Sequence, residues 1–177
     1  MRRNGASASA AFRRSSRTVL RSAFDLLVVA ATLVGCGGAG AGVMEAGDIP
    51  FADHGSTQQS AHDGGPRIVA ATDPVGVGLG ELASRDDGRL YIAVFAGAQR
   101  TGGYGIRVVR VDRAGDTLTV RAMFTVPAPD ALTIQVLTSP AHLVSIGRQS
   151  ATGARAVVLV DQSAAERARG TVPQSQP

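Results

Sequence analysis

The chemistry open to this chain is narrow: it has one cysteine and three histidines, and its 18 basic residues are all arginine. A lone thiol can be a nucleophile, a metal ligand or an acylation site, but it excludes an intramolecular disulfide. Two histidines lie in Asp53-His54 and His62-Asp63, four side chains of the kind that bind a transition metal. Both pairs fall in a Gly-rich stretch that would not hold them rigidly, so no metal site is expected. The third, His142, follows Asp130 and Ser139, the residue types of acyl transfer. A turn separates Ser139 from His142 and no orienting partner is evident, so His142 reads as a structural or surface histidine. Gly76-Val77-Gly78-Leu79-Gly80 lacks the Gly-x-Gly-x-x-Gly spacing and the following helix that would present a phosphate site. Neither a Gly-x-Ser-x-Gly elbow nor a His-Glu-x-x-His pair occurs. The expectation is a chain with no catalytic residues, no metal and no cofactor.

Cys36 is positioned by what precedes it. Residues 1–24 are rich in Arg, Ser and Ala and carry no acid; the apolar run Leu26–Val34 follows. That run is too short to cross a bilayer, which takes about 20 residues, and fits the apolar region of a signal peptide. It ends in Leu33-Val34-Gly35-Cys36, which resembles the bacterial lipobox, with Val34 bulkier than the usual small residue. The resemblance implies a signal peptide over residues 1–35 and a diacylglyceryl group on the Cys36 thiol. It further implies residence in the cell envelope, with the chain held to the membrane through Cys36. Stable anchoring takes two or more acyl chains. Gly37, rather than Asp, points to the outer membrane in an organism that has one. Phe12-Arg13-Arg14-Ser15-Ser16-Arg17 leaves twin-arginine export open beside the general route.

Charge follows the same division. The net charge of +4 arises in residues 1–35, which hold six Arg against Asp25 alone; the remainder has 12 Arg against 13 acids. A nearly neutral body has no field to gather phosphate backbones, so no nucleic-acid partner is expected. Residues 36–66 are read as the lipidated cysteine and a flexible tether, with eight Gly between 37 and 66 and no apolar period. Residues 67–161 are read as one β domain. Residues 162–177, polar and ending in Pro173 and Pro177, are read as a disordered tail.

Within the domain the elements are strands. Leu90–Phe95 is a continuous apolar run, as in a central strand. In Tyr104–Val111 the apolar phase slips at Val108-Val109, which predicts a β-bulge. Asp112–Asp116 is a hairpin loop, and Thr117–Val126 alternates cleanly with Leu118, Val120, Ala122, Phe124 and Val126 on one face. Leu132–Leu137, His142–Ile146 and Ala156–Val160 are shorter strands, and Ile68–Ala71 is a further candidate. The fold expected is all-β, a small antiparallel sandwich or partly open barrel.

The loop Ala96–Tyr104 stands out, because Thr101-Gly102-Gly103-Tyr104 brings two glycines and an aromatic to the junction of two strands. With the hairpin that follows, the Pro-rich break, and Ser139-Pro140 ahead of His142-Leu143-Val144, it resembles the C-terminal domain of the protease complex subunit PrcB family. The resemblance covers about Tyr91 to Ile146, with Arg100 where that family often has Pro. It implies a membrane-anchored, non-catalytic protein-binding domain, with Thr101, Gly102, Gly103 and Tyr104 as partner-binding residues. The implied partner is a protein, a secreted or surface protease. A second resemblance, to chagasin-type cysteine-protease inhibitors, rests on the same loop. The other inhibitor loops and their Trp are absent. A protease inhibitor and a structural envelope lipoprotein stay open as alternatives.

Overall fold

The computed structural model describes residues 47–174. Cys36, the expected signal peptide, the first part of the expected tether and the last three residues of the expected tail lie outside them. The described chain forms β1 (Gly47–Asp48), β2 (Phe51–Thr57), β3 (Arg67–Ala71), β4 (Arg89–Phe95), β5 (Gly105–Ala114), β6 (Thr117–Thr125), β7 (Ala141–Gly147), β8 (Ala156–Val160) and β9 (Glu166–Thr171). One 3₁₀ turn, Arg148–Ala151, follows β7. Two sheets result, ordered β1-β5-β6-β8-β9 and β2-β7-β4-β3. The fold is an all-β sandwich that does not close into a barrel. It is not purely antiparallel: β8 runs parallel to β6, because the chain visits the other sheet as β7 before returning.

Periodicity explains the inner strands. Leu118, Val120 and Ala122 of β6 are buried, while Met123 and Thr125 on the opposite face are exposed. They meet Ile92, Val94, Val144 and Ile146 of the facing sheet to form the main core. The phase slip in β5 is a bulge between Val108 and Arg110, so that Val108 and Val111 both point inward and Val109 outward. The continuous apolar runs of β4 and β7 follow from burial on both faces. Val77 and Leu79, from the Gly-rich segment ahead of β4, cover Tyr91, Ala93, Phe95 and Leu143 on the outer side. The Tyr91 hydroxyl donates to the Ser84 carbonyl at 2.7 Å, which satisfies the buried phenol.

Three expectations are corrected. Residues 47–57, assigned to the tether, form β1 and β2, and β2 pairs with β7 along its length. Residues 166–171, assigned to the tail, form β9 on the edge of β8. Both are edge strands paired on one side, held by backbone hydrogen bonds, so they lack the apolar alternation that marks an inner strand. Leu132–Leu137, expected as a strand, is an irregular loop. The apolar residues there do not face the core.

The fragment 67–161 lacks β2 and β9, leaving β7 and β8 with open edges. It is expected to be unfolded or aggregated by circular dichroism and light scattering, whereas residues 47–174 melt in one cooperative transition.

Candidate functional site

Two polar constellations stand out, one inside the sandwich and one at its end. The inner one is built on two bulges. Beside the bulge in β5, the Val108 N–H donates to His142 Nδ1 at 3.2 Å. A nitrogen that accepts a backbone N–H carries no proton, so the ring's proton is on Nε2. Nε2 therefore donates to Asp53 Oδ1 at 3.0 Å. The same carboxylate oxygen accepts the Gly55 N–H at 2.8 Å, across the register shift in β2. Arg107 lies 3.8 Å from the other oxygen, in solvent. His142 is 3% exposed.

The electrostatics agree with the neutral ring. Burial lowers the His142 pKa, and the Asp53 carboxylate opposes this only in part. Burial would raise the Asp53 pKa, but the Gly55 N–H, His142 and Arg107 together hold it below the usual range. On the other face of β7, His54 Nε2 and Ser145 Oγ lie 2.8 Å apart. Ser145 is wholly buried, so that hydroxyl cannot reach a substrate. The three residues considered for acyl transfer are not brought together. Asp130 is exposed on the loop after β6, Ser139 bonds Ser60 and the His62 carbonyl, and His142 faces inward. Asp53-His54 and His62-Asp63 are also separated, by their places in β2 and in the loop before β3. No group of three or more potential metal ligands occurs among the described residues.

The second constellation is the end of the sandwich where the loops 58–66, 96–104 and 126–140 meet. Gly97 has φ +87°, and a Cβ there would lie 2.7 Å from the Gly64 carbonyl, so the loop after β4 lies directly on the loop before β3. Gln99 and Thr138 exchange two backbone hydrogen bonds, of 2.8 and 2.9 Å. The Thr138 hydroxyl donates to the Thr101 carbonyl.

The Gly102 N–H donates to the Ile134 carbonyl at 3.0 Å, and a Cβ on Gly102 would lie 2.9 Å from Ile134 Cγ1. Gly103 has φ +89° and faces the Pro127 ring, 3.1 Å from where its Cβ would be. Gly102 is thus buried under the loop after β6, Gly103 is exposed, and Thr101 and Tyr104 are half-buried. Tyr104 lines a cavity of about 270 Å³ with Gln99, Phe124, Asp161 and Arg167. There Arg167 sits 5.2 Å over the Phe124 ring.

What these features define is a protein with a β-sandwich scaffold and a rigid loop cluster at one end. Residues 90–147 match the family model described as PrcB C-terminal, so this segment is similar to that domain. The match runs from β4 to the end of β7 and includes both the Thr101–Tyr104 loop and the loop that covers it. No curated protein and no solved structure matches the chain.

Reading by sequence missed Asp53 as the partner of His142 and the role of the loop after β6. The first lies 89 residues from His142 in a Gly-containing stretch without apolar alternation, and the second has strand-like composition.

Two outcomes follow. The unfolded chain takes a proton at His142 near the ordinary pKa of about 6.5, which the folded protein resists. Stability is therefore full above that pH and falls as pH drops below it, with Asp53 adding loss at still lower pH. His142→Gln should cost about 1–3 kcal/mol at pH 7.5, and its stability should vary less between pH 7.5 and 5.5, as read by urea denaturation. For the loop, thermal melts should rank Gly97→Ala as most damaging, at roughly 3 kcal/mol. Gly103→Ala should cost about 1–2 kcal/mol, and Gly105→Ala, whose Cβ has ordinary contacts, within about 0.5 kcal/mol.

Proposed function

We propose that this chain is a membrane-anchored, non-catalytic accessory subunit of an envelope protease complex, which binds a protein partner through the loop end of its sandwich. The carrying observation is the PrcB C-terminal match over residues 90–147, since the family takes its name from a protease complex subunit. The geometry supports a binding rather than a chemical role. The histidine–carboxylate pair ties strands together, and the Ser145 hydroxyl is sealed from solvent. The anchor in this proposal is lipid on Cys36, with the body held in the cell envelope, at the outer membrane where there is one. Its support is the Leu33-Val34-Gly35-Cys36 sequence.

The inhibitor reading receives less support from the loop geometry. An inhibitory loop must reach into a protease cleft, whereas Gly102 is buried beneath Ile134 and Thr101 is half-buried.

Fractionation of the native host tests the proposal. The wild-type protein is expected in the membrane fraction with its first 35 residues removed and an acylated Cys36, read by mass spectrometry, and a protease should co-purify with it in mild detergent. Cys36→Ala should move most of the protein to the soluble fraction. A free Cys36 thiol would overturn the anchor, and absence of any protease from the purified wild type would overturn the subunit role.

A further inference from the structure

The loop between β6 and β7 exposes several large apolar side chains. Leu132 is fully exposed, and Val126, Ile134 and Leu137 are 67%, 71% and 72% exposed. The only charge from Val126 to Pro140 is Asp130. Exposed apolar groups gathered on one segment, as opposed to scattered singly, mark a recognition surface.

The loop is also held in place, which distinguishes it from a floppy connection. Ala131 N–H closes a turn on the Ala128 carbonyl, and the Ile134 carbonyl accepts both the Gly102 and the Val136 N–H. Gln99 and Thr138 fix its far end, and Pro127 rests on Gly103. Its ordering cost is met on folding, so a partner that binds it does not have to meet that cost again.

We infer that residues 126–137 are a preformed apolar protrusion that enters an apolar cleft on a protein of the protease complex, with Leu132, Ile134 and Leu137 as anchors. In this arrangement Thr101-Gly102-Gly103 is the platform that shapes the protrusion: Gly102 lies close under Ile134, and Gly103 takes a positive φ against the Pro127 ring. The inference rests on the proposed subunit role and names the surface that performs it. Charge selects a protein over a membrane as the occupant. A loop that inserts among anionic headgroups uses flanking cations, and this stretch has none, its single charge being an acid. Exposed Arg100, beside the platform in the chain, and Asp130 give the apolar anchors the mixed-sign margin found around protein interfaces.

The test is photo-crosslinking of the full-length protein in its native membranes, with a benzophenone amino acid placed at 132, 134 or 137 and, as a control, at exposed position 75. Adducts to one and the same protein of the protease complex are expected from the three loop positions, at least tenfold above position 75. Leu132→Asp with Ile134→Asp should cut protease co-purification at least tenfold with an unchanged melting temperature. Adducts only to phospholipid, adducts only to a second copy of this chain, or no loop adducts while the protease still co-purifies would each overturn the inference and leave the subunit role standing. A wild-type sample without protease overturns both.

Discussion

One neutral imidazole links the two sheets. His142 accepts the Val108 N–H beside the β5 bulge and donates to the carboxylate that braces the bulge of β2. A buried backbone N–H without a partner costs free energy comparable to a lost hydrogen bond, so each irregularity needs the other strands in place. Three strands, β2, β5 and β7, are thereby fixed in mutual register at one point. The chain Val108–His142–Asp53 works only with an unprotonated ring, which makes the joint a fixture of the fold and leaves its histidine no free lone pair for chemistry.

The loop end depends on that joint indirectly. Once β4 and β7 are in register, Ala96 and Pro140 fall opposite one another and the two long loops leave the sheet side by side, bonded by the Ala96 N–H to the Pro140 carbonyl. Their glycines then have a steric reason. Gly97 lets one backbone lie on another, and Gly103 lets a positive φ meet a proline ring. The Thr101–Tyr104 motif therefore both supports the covering loop and faces solvent in part.

The matched segment, residues 90–147, contributes strands to both sheets but completes neither. The strands outside it close the structure. β2 covers one edge of β7 and brings Asp53 to His142, and β8 and β9 extend the sheet beyond β6. Across the sandwich edge, β9 comes close enough to β3 that a Cβ on Gly170 would meet the Ile68 carbonyl at 2.9 Å. The matched segment thus lies between flanking strands that complete its sheets, although β2 and β9 look like linker in composition.

The sequence alone determined the inner strands, the hairpin, the bulge at Val108 and the burial of β4, because each writes a period or a break in period into its own residues. It also placed the Gly102-Gly103 turn and the PrcB likeness, both of which are local. Only the tertiary structure decided the edge strands β2 and β9, the parallel pairing of β6 with β8, and the partnership of Asp53 with His142 across 89 positions of chain. It also decided that Leu132, Ile134 and Leu137 face solvent despite a strand-like composition. Edge strands are held by backbone groups that every sequence has. The fate of an apolar loop depends on whether a neighbour covers it, and no local pattern records either.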